Sequence, residues 1–217
     1  MDLDHVLILC DEGAPEAEAL LRAGLREGSG NAHPGQGTAC RRFFFGNGYL
    51  ELAWVQDVAE ARSDLARPTR LLDRWMMRGG GACPFGLIFR PGIEDVAIAP
   101  PFKAWRYTPP YLPEGMAIEI AEDVPLSEPE IFYLAFQRGR ARGGAEPIDH
   151  RPPLTTIAQA TIAGPMPELL SDAARAAERT GQVAFTHAAG YAVTLAFRGS
   201  AGATADLRPG LPLVLRW

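Results

Sequence analysis

Cysteine is scarce in this chain: Cys10, Cys40 and Cys83 are three in 217 residues, an odd number with no close pair. A chain of this length buries roughly 70% of the surface it exposes when unfolded, so its core needs no covalent staples. The cysteines therefore read as reduced thiols of a cytoplasmic protein, acting as small buried apolar side chains. Long apolar runs are missing as well. No stretch approaches the ~20 apolar residues of a membrane span. The opening MDLDHVLILC sets two acids ahead of a short apolar run, which is the wrong layout for a secretory leader. Positive charge is in deficit, with 21 Lys and Arg against 26 Asp and Glu and a net charge of −5. That balance argues against nucleic acid or a membrane surface as a partner. No glycine-rich phosphate loop ending in Gly-Lys-Ser or Gly-Lys-Thr occurs, so no nucleotide cofactor is implied, and no Gly-x-Ser-x-Gly nucleophile motif occurs either.

What is present is a recurring order of short elements. Residues 3–10 (LDHVLILC) are aliphatic and β-branched and read as a strand covered on both faces. Pro15 then opens a helical stretch with Leu20, Leu21 and Leu25 on its apolar side. After the glycine-rich segment 28–38, the runs 41–45 and 49–55 flank Gly46-Asn47-Gly48, whose tolerance of left-handed backbone suits a tight hairpin. Two helical pieces broken at Pro68 fill 58–77. Strand signals return at 84–89, 105–108, 116–121 and 131–136, with a weak helical piece at 93–98. Residues 138–153 are rich in Arg, Gly and Pro and read as a linker. A third pass follows: strand 154–162, a helix over 167–180 with Pro167 in its first turn, then strands at 183–187, 191–197 and 211–216.

The informative residues are ionisable groups inside apolar strands. Alternation places His5 on one side with Leu3, Leu7 and Leu9, and Glu51 on one side with Tyr49, Ala53 and Val55. A buried carboxylate is costly unless it is paired or binds a metal. Three explanations stand: a divalent ion held by imidazole and carboxylate, an ion pair of Glu51 with His5 or an arginine and no metal, or ordinary solvent exposure.

LDHVLILC, the loop HPGQGTACRRFFF and the strand GYLELAW together resemble the glyoxalase-like branch of the vicinal oxygen chelate superfamily. The resemblance implies an α+β fold in which βαβββ modules pair into curved mixed sheets around a cleft. It places two modules at 1–57 and 83–137 in a domain spanning 1–137, followed by the linker 138–153 and a partial third module at 154–217. It implies that His5 and Glu51 are metal ligands, for Zn, Ni, Mn or Fe. In the second module Gly86 and Tyr133 fall about where His5 and Glu51 stand, so a four-ligand sphere does not carry over. Glu119, His33 or His150 would have to complete it, and Glu51 and Glu119 are the candidate catalytic carboxylates.

The loop HPGQGT is the most distinctive local signature. Gly35 and Gly37 permit positive φ, while His33, Gln36, Thr38 and the backbone amide of Gly37 offer groups that could hold a substrate oxygen, or simply shape a tight connection. Arg41 and Arg42 point to opposite sides of their strand, so one faces the cleft, taken as Arg42, and the other is solvated. Among the central aromatics, Trp105, Tyr107 and Tyr133 are candidate lining residues. His187 reads as a structural histidine and His150 as exposed. Two functions compete: a metal-assisted lyase, isomerase or dioxygenase acting on a small oxygen-bearing molecule, and a metal-free module that binds such a molecule. Either is expected as a homodimer.

Overall fold

The computed structural model describes residues 1–95, 99–137, 146–199 and 202–217. The first strand, β1 (Asp2–Leu9), leads to a short helix α1 (Ala17–Arg22) and then to β2 (Asn31–His33), β3 (Thr38–Phe44) and β4 (Tyr49–Val55). The connection to the second half carries α2 (Val58–Ala61), a 3-10 turn at Arg67–Thr69 that contains Pro68, and α3 (Leu71–Met77). The second half supplies β5 (Phe85–Arg90), β6 (Ala104–Tyr107), β7 (Ile118–Ala121) and β8 (Glu130–Tyr133). Of the helical piece expected at 93–98, residues 93–95 are not helical and 96–98 lie outside the described residues, as do 138–145 of the linker.

These eight strands form one mixed sheet in the order β2-β3-β4-β1-β5-β8-β7-β6. In each half the first strand pairs in parallel with the last, β1 with β4 and β5 with β8. The halves join through the antiparallel β1–β5 seam, so two βαβββ-type units are related about that seam, the second without a described helix. The C-terminal region builds a five-stranded sheet from β9 (Ile157–Gly164), α4 (Asp172–Glu178), β10 (Val183–His187), β11 (Ala192–Phe197), β12 (Thr204–Asp206) and β13 (Leu213–Arg216). Its order is β10-β9-β11-β13-β12, with β9 parallel to β10, β11 parallel to β13 and β9 antiparallel to β11. This is the same pairing plan in a shortened form.

Alternation along the strands divides the large sheet into two faces. Val6, Ile8, Leu50, Leu52, Leu87, Phe89 and Ile131 share one core with Ile162, Val193, Leu195 and Leu215 of the C-terminal sheet. The second sheet therefore covers the back of the first. Leu7, Leu9, Cys40, Ala53, Ile88, Ile120 and Phe132 lie on the opposite, cleft face. Asn47 helps to join the sheets, its amide donating to the Ile157 carbonyl and accepting from the Ile157 N–H, both at 2.8 Å. Gly46 and Gly48 serve close approach here and do not adopt left-handed backbone: a Cβ would press on the Thr155 and Asp4 carbonyls respectively. Helix α4 starts later than Pro167 suggests. Ser171 is its N-cap, accepting from Ala174 N–H at 3.2 Å, and Glu128 in turn accepts from the Ser171 N–H and hydroxyl.

Two buried polar groups tie segments together. Arg74 on α3 has no exposed surface. It donates to Glu130 at 2.8 Å and to the carbonyls of Glu128, Leu126 and Cys83. His150, expected to be exposed, is 4% exposed and donates from Nε2 to the Phe44 carbonyl at 2.7 Å while Nδ1 accepts from Arg26 N–H at 3.0 Å. With Arg151 N–H bonded to the Gly24 carbonyl at 2.9 Å, the described part of the linker is docked on the first module.

Replacing Arg74 by Met leaves the Glu130 carboxylate buried and alone, and should cost about 3–5 kcal/mol in urea unfolding, partly recovered by adding Glu130→Gln. Burial holds the His150 pKa below its ordinary 6.5. Its stabilisation is therefore full above pH 6.5 and lost as pH falls through the folded value, because the unfolded imidazole takes up its proton first. Urea midpoints should fall below pH 6.5, and less steeply in His150→Gln; a variant slope equal to that of the parent would refute the assignment.

Candidate functional site

The cleft face opens into a cavity of about 220 Å³ lined on one wall by His5, His33, Gln36, Arg42, Tyr49 and Glu51, and on the other by Ile88, Ile118, Phe132 and Leu134. Every ionisable His, Arg and Glu of the lining comes from the first module, while the second contributes mainly apolar side chains together with Tyr111 and Gln137.

His5 reaches the cleft through an irregularity of β1. Pairing with β5 runs Leu3↔Phe89 and then His5↔Ile88, so Asp4 is an extra residue, a bulge. Leu3 consequently joins the back core and does not share a side with His5, as strict alternation predicts. The bulge places the Asp4 carboxylate where His5 Nδ1–H donates to it at 2.6 Å, and Arg90 Nε lies 3.6 Å from the other Asp4 oxygen. A carboxylate accepts only, so Nε2 is the imidazole atom that faces the cavity. There it lies 3.4 Å from Glu51 Oε2 and 3.1 Å from the Tyr49 hydroxyl, while the His5 ring stacks on Tyr49 at 3.9 Å. Imidazole and carboxylate meet, and their facing atoms call for a proton or a cation between them.

The loop HPGQGT packs against that wall. His33 Nδ1 lies 3.0 Å from Thr38 Oγ1, to which Gln36 Nε2 donates at 2.7 Å; Tyr111 donates to Gln36 Oε1 at 3.0 Å. Burial lowers the His33 pKa, against a smaller opposing pull from Glu51, which keeps the ring neutral and able to donate a lone pair. Burial and the neighbouring Glu51 push the Cys40 thiol well above its usual range. One ligand atom each from His33, Cys40 and Glu51 lies within 4.8 Å of the other two. Imidazole, thiol and carboxylate are a donor set that fits a divalent ion.

Arg42 faces the cavity, as the alternation of β3 requires. Its guanidinium donates to the Ser29 carbonyl at 2.7 Å and lies 5.1 Å from the Phe44 ring centre. Arg41 lies on the opposite side of β3, partly exposed, and makes a two-pronged ion pair with Glu27 at 2.7 and 2.5 Å. Thr38 and Gly37 support the loop, and neither lines the main cavity. Glu119 is turned away. It lies across from Tyr133 and Arg106, out of phase with the cleft-facing Ile118 and Ile120, and is 3.8 Å from Arg106. Tyr133 belongs to the back core, and its neighbour Phe132 occupies the cleft instead. The cause is period-two register: a one-residue offset exchanges faces. Trp105 and Tyr107 pack on the cleft side of the sheet but behind the lining, where burial pushes the Tyr107 hydroxyl up to about 12 and leaves it without a hydrogen-bond partner among the described residues. His150 lies on the far flank, and His187 is exposed at the end of β10.

Sequence reasoning missed Asp4, Cys40 as a polar group, and Tyr111. The adjacent Asp4-His5 pair was the available signal, but only the bulge brings both side chains into use.

Gly37 has φ +76°, and a Cβ there would collide with the Asp57 carbonyl; Gly13 has φ +78° with nothing within 4 Å. Gly13→Ala should cost about 1 kcal/mol in thermal unfolding from backbone strain alone. Gly37→Ala should exceed it by about 1–3 kcal/mol for the collision; equal losses would contradict the packed-loop account.

Residues 3–97 match the family described as a glyoxalase-like domain. No curated protein matches the chain. Among solved structures, a hypothetical protein from Staphylococcus aureus aligns over 99% of this chain and 97% of its own at 9% identity and a TM-score of 0.47. A triple mutant of 4-hydroxymandelate synthase from Streptomyces coelicolor aligns over 90% and 70% at 14% identity and a TM-score of 0.44. The family match covers somewhat under half of the chain, and in the same region the first strand pairs in parallel with the last, a plan the second half of the sheet repeats; residues 3–97 are thus similar to a glyoxalase-like domain.

Proposed function

We propose that the cleft binds a small molecule with an oxygen-bearing end and an apolar body, and that a divalent ion held by His5 and Glu51 makes the protein a lyase, isomerase or dioxygenase. The observation that carries this reading is the two-sided cavity, with imidazole and carboxylate 3.4 Å apart on one wall and Ile88, Ile118, Phe132 and Leu134 on the other. Asp4 fixes the His5 tautomer so that Nε2 offers its lone pair, the outer-sphere arrangement common around metal-bound histidine. When bound, such an ion polarises substrate oxygens and stabilises the anion formed on proton removal. Arg42 supplies a fixed positive charge at the rim of the same wall, suited to a carboxylate or another anionic oxygen. Gln36, aligned by Thr38 and Tyr111, orients a second polar contact, and the apolar wall keeps water from the substrate body. Glu51 lies where it could also accept a proton from bound substrate.

One observation favours the metal-free alternative: the second module offers Gly86, Ile88 and Phe132 on its central strands, and among the described residues no His, Cys, Asp or Glu of that module lines the cavity. In that reading His5, Asp4 and Glu51 form a buried ion-pair network that shapes the pocket.

Metal content and thermal unfolding of untagged protein separate the two. The first reading expects close to one equivalent of ion. It also expects, at a hundredfold excess over Kd, a gain of about 2.7 kcal/mol, or roughly 5–10 °C in Tm for a chain of this size. Asp4→Asn should weaken ion binding about 10–100-fold, and Glu51→Gln should abolish the Tm gain. Protein that stays below a tenth of an equivalent, with no shift on adding Zn, Ni, Mn or Fe, would leave the binding-module reading standing.

A further inference from the structure

The wall that carries His5 and Glu51 holds two further donors, arranged by strand register. On the cleft face, His33 on β2 lies two residues from Asn31, which pairs with Cys40 on β3. Cys40 lies two residues from Arg42, which pairs with Glu51 on β4, and Glu51 lies two residues from Tyr49, which pairs with His5 on β1. Diagonal neighbours on one sheet face are within reach of each other. Four adjacent strands therefore present imidazole, thiol, carboxylate and imidazole along one oblique stripe. Cys10 and Cys83 differ from Cys40 in kind, because both belong to the apolar core behind the sheet.

We propose that the ion of this cleft is bound through the thiolate of Cys40 together with His33 and Glu51, a set drawn entirely from β2, β3 and β4 of the first module. The inference rests on the reading that the cleft holds a divalent ion, and it puts Cys40 and His33 beside Glu51 in place of His5 as direct ligands, since among the described residues no His, Cys, Asp or Glu of the second module lines the cavity. The three ligand atoms lie within 4.8 Å of one another. Around a tetrahedral ion with bonds of about 2.0–2.3 Å, ligand atoms stand roughly 3.5 Å apart. About an ångström of side-chain adjustment thus closes the set. Three protein donors leave a fourth position open for a water or a substrate oxygen. A sulfur donor selects a borderline ion such as zinc or cobalt over magnesium, calcium or manganese.

Coordination has defined consequences for the groups now in contact. The Cys40 thiol, which donates to Glu51, gives its proton to solvent as the bond from sulfur to the ion forms. His33 now lies 3.0 Å from Thr38 Oγ1 and 3.1 Å from Asn31 Nδ2. One of these contacts yields to the ion, and the other holds the ring in place.

Cobalt(II) titration of the metal-stripped full chain tests this, followed by absorbance and by metal analysis after dialysis. The expected result is one equivalent of cobalt with a near-ultraviolet sulfur-to-cobalt charge-transfer band. That band should vanish in Cys40→Ser with at least a tenfold loss of affinity, while Cys10→Ala and Cys83→Ala keep it. Cys40→Ala serves where the serine variant fails to fold by circular dichroism. One equivalent of cobalt bound without the band, or affinity unchanged in the Cys40 variants, overturns the thiolate assignment and leaves a divalent ion on His5 and Glu51. No cobalt and no zinc retained by the parent overturns both.

Discussion

A carboxylate with 6% exposure, set 3.4 Å from an imidazole of equal burial, is the constraint on which the cleft depends. Neither group is tolerated in an apolar interior without compensation. Much of the first module supplies it. The bulge at Asp4 aims a second carboxylate at the far side of the imidazole, Arg90 balances that carboxylate, and Tyr49 covers the ring. The back of the same strands is ordinary aliphatic core, and there the C-terminal sheet supplies the apolar surface that a two-faced sheet needs.

The two halves of the eight-stranded sheet share a plan and differ in content. Where the first module places His5 and Glu51 on its central strands, the second places Ile88 and Phe132. That asymmetry gives the cavity one polar and one apolar wall. It also places His33, Cys40, Glu51 and His5 on four neighbouring strands, so that strand register sets how these four side chains can converge. The glycine-rich loop between β2 and β3 contributes by close packing as much as by hydrogen bonding. Gly35 donates to Glu60 at 2.7 Å and has no room for a Cβ beside Pro110, while the Gly37 carbonyl accepts from both Gln56 and Asp57 N–H.

Most strands, the hairpin at 46–48 and the pairing of His5 with Glu51 were legible in the sequence, because aliphatic runs, turn residues and a polar residue on a buried strand each carry local signals. Errors arose where the side of a strand had to be judged without a register. Glu119 and Tyr133 read as cleft residues, yet each sits one position out of phase with the lining. Leu3 fell on the wrong face because a bulge interrupts alternation, and α4 starts at Asp172, where the Ser171 hydroxyl cap and Glu128 outweigh the proline signal.

The sequence by itself determined the α+β class, the repeated order of elements, the absence of a helix long and apolar enough to cross a membrane among the described residues, and the two ionisable groups hidden in apolar strands. Only the tertiary structure decided which donors gather. His33, Cys40, Glu51 and His5 are separated by up to 46 positions in the chain, and no local pattern links them. They meet because parallel and antiparallel pairing across four strands brings them onto one diagonal of one face.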